Sequence, residues 1–119
     1  MQWYLAKIVF RIISGDGNHT PQFDEQLRLI KACNDLDAFE QARALGLQEQ
    51  DLFENDNQLK VEWRFIDIAE LRPFPELEHG AEIYSGIKEE EDAGRYSEVI
   101  RKKAEYIQDN LQRRYLQPI

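Results

Sequence analysis

The chain has 119 residues, 42% hydrophobic and 32% charged, which suits one domain with a single core and is too apolar for a disordered tail. Its net charge of -8 opposes binding to nucleic-acid backbones and anionic membrane surfaces, and leaves solvation or attraction of a basic protein partner as its uses. The single cysteine, Cys33, excludes an intramolecular disulfide, and no apolar run approaches the ~20 residues of a membrane span.

The opening MQWYLAKIVFRIISG lacks both a basic leader and a small-residue cleavage site, so a signal peptide is not expected and a cytoplasmic location is. Within it Tyr4, Ala6, Ile8, Phe10 and Ile12 are all apolar, while the odd positions mix Trp3, Leu5, Val9 and Ile13 with Lys7 and Arg11. This pattern predicts a central strand, buried fully on one face and partly on the other. The loop 14–22, SGDGNHTPQ, concentrates turn-forming residues. After it Phe23, Leu27 and Leu29 alternate with Asp24, Gln26 and Arg28, predicting a half-buried strand that closes a long-looped hairpin. Cys33, at its end, is expected to be a small buried hydrophobe.

Asn34 and Asp35 are N-cap residues for a helix whose stripe is Leu36, Phe39, Ala42 and Leu45, with Gly46 closing it. A polar connection, 47–57, follows, with room for one more helical turn. Residues 59–68 alternate, Leu59, Val61, Trp63 and Phe65 against Lys60, Glu62 and Arg64, and predict a third strand. Pro73 and Pro75 mark a loop. Gly80 introduces a predicted fourth strand with Ala81, Ile83, Ser85 and Ile87 on one side. Last, Tyr96, Val99, Ile100, Ala104, Ile107, Leu111 and Tyr115 predict a long amphipathic helix at about 96–115. The run Glu89, Glu90, Glu91, Asp92 precedes it and Arg113 and Arg114 end it, so both ends complement the helix dipole.

The expected fold is therefore a single α+β domain over 1–119, a four-stranded mainly antiparallel sheet in ββαββα order with its helices packed on one face. The open face would carry Lys7, Arg11, Asp24, Gln26, Arg28, Lys60, Glu62, Arg64 and Glu82 beside Trp3, Leu5, Val9 and Tyr84. Aromatic groups framed by cross-strand charge pairs make Trp3, Arg11, Arg28, Arg64 and Tyr84 a candidate interface for a homo-oligomer. The apolar tail 116–119 is expected to dock as well.

Chemistry is sparse. Gly15 and Gly17 form a G-x-G without the rest of a phosphate cradle, and no Cys/His spacing fits a structural zinc site. Ser14 and Ser85 lack a nucleophile motif. His19 and His79 lie in loops beside Asp16, Asp24, Glu76 and Glu78, which would matter if the two loops met. The loop residues Asp16, Asn18, His19, Thr20 and Gln22 form a candidate binding loop, because polar groups on a rigid hairpin often carry function. The alternative is that they bond their own backbone and only hold the turn.

Three groups of residues carry a resemblance: Trp3-Tyr4-x-Ala6-Lys7 at the start, Ala32 with Ala38 and Ala42 around the first helix, and Gly80-x-Glu82-Ile83-Tyr84-Ser85. With them the chain resembles a family of small bacterial proteins, domain-of-unknown-function family 4288, from Trp3 to about Ile87. The stretch GDGNHTPQFDEQ resembles a subgroup insertion. The resemblance implies a small bacterial α+β protein and assigns no catalytic residue. The resulting expectation is a non-enzymatic interaction module that self-associates, with no catalytic, cofactor or metal residues and no nucleic-acid or membrane partner. Two alternatives stand beside it: an acidic inhibitor or immunity-type protein covering a basic partner, and a small metal-dependent enzyme built around His19.

Overall fold

A computed structural model describes residues 1–116, so the expected docking of the tail falls largely outside the described residues. The chain runs β1 (Gln2–Ser14), β2 (Gln22–Ala32), α1 (Asp35–Gln48), β3 (Asp51–Glu54), β4 (Lys60–Phe74) and α2 (Ala93–Tyr115). The four strands form one antiparallel sheet in the order β2-β1-β4-β3. Two compact units divide the chain, residues 1–83 and 84–119.

The first unit holds the core. Tyr4, Ala6, Ile8 and Phe10 of β1 meet Ile30 and Ala32 of β2 and Ala38 and Ala42 of α1, with Leu45, Trp63, Phe65, Ile68 and Leu71 packed against them. Asn34 caps α1 by accepting from the Asp37 N–H at 2.8 Å. The helix presents its small residues to the sheet. Leu36, expected in the stripe, is 64% exposed. Gly46 does not close the helix, which continues to Gln48. A Cβ on Gly46 would clash with the Phe65 ring, so glycine is required by close approach there.

β4 differs from the predicted third strand in length and phase. Its register against β1 shifts between Lys7 and Ile8 and again between Val9 and Phe10. Each shift inserts one extra β4 residue, so Trp63, Phe65, Ile68 and Leu71 all face α1 despite uneven spacing. β4 also passes through Pro73, opposite Tyr4. β3 pairs only as far as Trp63, so among the described residues β1 is the one strand paired with β4 at Pro73.

The predicted fourth strand is absent. Gly80, with φ +82, occupies a turn closed by the Ala81 N–H on the Glu78 carbonyl at 3.1 Å, and no strand follows among the described residues. Ser85 and Gly86 leave that segment too little apolar surface to hold a strand, and Ile87 is 99% exposed. The second hairpin instead uses β3, in what was expected to be a polar connection. Asn55 Oδ1 accepts from the N–H groups of Asn57 and Leu59, and Gln58 takes φ 63.

The side assignment of β2 is inverted. Phe10 lies opposite Asp24, Ile8 opposite Gln26 and Ala6 opposite Arg28, so these polar residues share the face that α1 covers. Phe23, Leu27 and Leu29 lie on the outer face. Cys33, expected to be buried, is exposed just beyond β2. Its N–H donates to Asp37 Oδ2 at 2.9 Å, which is the main reason the Asp37 carboxyl lies below its ordinary pKa.

In the second unit Asp92 caps α2 by accepting from the Arg95 N–H at 3.0 Å, and Arg113 and Arg114 lie in its last turn. No residue of α2 is buried. No helix among the described residues is long and apolar enough to cross a membrane.

Candidate functional site

The loop between β1 and β2 is held by its own polar groups. Gly15 and Gly17 take φ +60 and +82, where a side chain would be strained. The Gly15 N–H reaches the Lys60 carbonyl at 2.7 Å and the Gly17 N–H the Ser14 carbonyl at 3.0 Å. Asp16 Oδ1 accepts from the Asn18 N–H at 2.9 Å. His19 uses both ring nitrogens: Nε2 accepts from the Ser14 N–H at 3.0 Å, and Nδ1 lies 2.9 Å from the Thr20 carbonyl. Because Nε2 accepts, the proton of the neutral ring is on Nδ1 and is donated to Thr20. Neither nitrogen is left to bind a metal or move a proton without breaking the turn.

Ser14, Gly15, Asp16, Asn18, His19, Thr20, Gln22 and Leu59 line an open depression of about 830 Å³ at this end of the sheet. Gln22 begins β2 and pairs with Ile12. The candidate binding loop is thus one continuous surface, and its shape is set by bonds within it and by the Gly15 bond to Lys60 of β4. Among the described residues no group of three or more His, Cys, Asp or Glu side chains is placed to hold a metal ion, so Asp16, His19, Asp24 and His79 do not gather into a metal centre. Asp24 is engaged elsewhere, accepting from Trp63 Nε1 at 3.2 Å and from Gln26 Nε2 at 2.6 Å. Arg28 continues that line, donating to Gln26 at 3.0 Å and lying 3.8 Å from Glu49 at the end of α1.

Of the candidate interface, β1–β4 pairing puts Trp3, Arg11 and Arg64 on the outer face. Arg28 is on the other face, and Tyr84 is 58% exposed outside any strand. Lys31 lies over the Trp3 ring at 5.4 Å, Lys7 pairs with Glu70 at 3.6 Å, and Arg64 pairs with Glu62 at 2.7 Å. Arg11 Nε is buried without a hydrogen-bond partner, between Phe23 on one side and Arg64 on the other.

The two ends of the outer face differ. Leu5 and Phe74 are buried, and Arg72, opposite Leu5, donates to the Ile83 carbonyl at 2.6 Å. The segment after β4 therefore returns to that end. On β2, Phe23 toward the loop is 56% exposed, Leu27 39%, and Leu29, opposite Leu5, 44%. Sequence reasoning counted these three as core. Ile30 and Ala32 share the parity of Asp24, Gln26 and Arg28, so the two ends of β2 argue for opposite faces. That conflict was the available signal.

The chain matches the sequence profile of Domain of unknown function (DUF4288) over residues 3–85 and belongs to that family. No curated protein and no solved structure matches it.

Proposed function

We propose, with that family membership as the premise, that the chain is a non-enzymatic interaction module that self-associates through the outer face of its sheet. The observation that supports this most directly is the exposed row Phe23, Leu27 and Leu29 on one side of β2. Apolar side chains scattered singly need no explanation, but Leu27 and Leu29 are neighbours on this face and form a patch, with Glu25 between Leu27 and Phe23. Charged pairs frame it, as in the rim of a protein interface. β2 is also an edge strand, eleven residues long, with one side of its backbone unpaired within the sheet. Edges of this length are templates for pairing with another strand. A second copy offers the same patch and the same edge, and either can form a two-fold contact.

The test is the mass in solution by light scattering at tens of micromolar, the scale of ordinary association constants. The wild-type protein is expected to be a dimer or larger. Leu27→Glu with Leu29→Glu should lower that mass at least twofold and leave the melting transition cooperative, since both side chains are already exposed. A strictly monomeric wild type, or a mass unchanged by the two substitutions, overturns the reading.

A further inference from the structure

Helix α2 has 23 residues, roughly 35 Å at 1.5 Å per residue, with none of them buried. A helix in water is held mainly by covering its apolar stripe, and this one has a continuous stripe to cover. Tyr96, Ile100, Ile107, Leu111 and Tyr115 are 38%, 43%, 58%, 46% and 70% exposed, with Ala104 between them. We propose that α2 pairs antiparallel with α2 of a second copy. This goes beyond the sheet-face reading and uses none of its residues.

Three features favour that occupant and that direction. Apart from Val99, which lies on its flank, the stripe reads the same both ways, because the steps from Tyr96 to Tyr115 are four, four, three, four and four residues. An antiparallel alignment sets Tyr96 level with Tyr115 of the second copy, Ile100 with Leu111, and Ala104 with Ile107. Each small residue then faces a large one, whereas a parallel alignment puts Ala104 against itself. The charges agree. Parallel helices would bring the two runs Glu89–Asp92 together and the two Arg113–Arg114 pairs together. Antiparallel ones bring each acidic run toward the arginines of the other copy and oppose the helix dipoles. The stripe also exposes about 600 Å² per copy at the usual sizes of such side chains, so pairing would bury about 1,200 Å², the lower end for a specific interface.

The two faces together would give a four-chain assembly of dihedral symmetry or an open chain. The test uses full-length protein with Cys33→Ser, carrying either Ile100→Cys or Leu111→Cys, mixed and mildly oxidised. In the antiparallel pair the two Ile100 positions are eleven residues apart along the axis, about 16 Å, well beyond disulfide reach. The cross-linked product joining one variant to the other should exceed either self-linked product by on the order of tenfold. Ile107→Glu should abolish it, while Leu27→Glu with Leu29→Glu should leave it intact. Self-linked Ile100→Cys chains in equal or greater yield would overturn the direction. No linked product, as when α2 covers its own sheet, would overturn the pairing. Loss of linking in the sheet-face variant would overturn its independence, whatever the fate of the sheet-face reading.

Discussion

Asp67 shows how much a single side chain can be set by its neighbours without burial. It lies between the two register shifts of β4, and Arg43 of α1 grips it with two bonds, Nε to Oδ1 at 3.0 Å and Nη2 to Oδ2 at 2.9 Å. That bidentate bond, with the Ile68 N–H as a third donor, lowers the Asp67 pKa to about 2. The folded carboxyl is thus more acidic than the unfolded one, so the contribution is complete above about pH 4 and is lost as pH falls toward 2. Asp67→Asn removes it. The gap in melting temperature between wild type and variant should be constant above pH 5 and shrink between pH 4 and pH 2. A gap that stays constant to pH 2 would refute the assignment. Nothing in the sequence signals this pair, because 24 residues separate its members and the bulges decide where Asp67 points. His19 is the opposite case. Its two candidate roles were both legible in SGDGNHTPQ, and the geometry favours the turn.

At the scale of elements, the alternation of polar and apolar residues located β1, β2 and the first half of β4, and the N-cap Asn34 located α1. It failed where one residue of phase matters. A strand offers two faces, and a pattern with apolar groups on both, as in β2, does not say which one the helix takes. The answer depends on α1, whose covering face is built from Ala38, Ala42 and Gly46 instead of large residues. Gly46 is the tightest point. Alanine there would gain up to ~1 kcal/mol of helix propensity. Its Cβ would, however, lie under 3.0 Å from three atoms of the Phe65 ring, and that ring is packed edge-on against Phe10 at 6.0 Å. Overpacking of this kind costs about 1–3 kcal/mol. Gly46→Ala should therefore lower the denaturation midpoint, and the loss should shrink in a Phe65→Leu background, where the contact is relieved. A raised midpoint would mean that the sheet yields more easily than the ring packing implies.

For the whole molecule, composition suggested a single domain, while contacts divide the chain into two compact units. Among the described residues every buried side chain lies between Tyr4 and Phe74, and the family match ends at residue 85. The amphipathic period of α2 was plain in the sequence. What it would cover was not, because a stripe fits a domain's own core and another chain equally well. The acidic excess also belongs to the first unit, since residues 84–119 carry seven basic and seven acidic residues. A chain ending after Ser85 should thus retain the sheet, α1 and the outer face, and lose only what α2 contributes. Its melting temperature should stay within about 4 °C of the parent, the shift that ~1 kcal/mol produces in a domain of this size. Its mass should respond to Leu27→Glu with Leu29→Glu as the full chain's does. A truncated chain that no longer unfolds cooperatively would show that the sheet relies on α2 for its stability. The exposed stripe would then belong to folding and not to assembly.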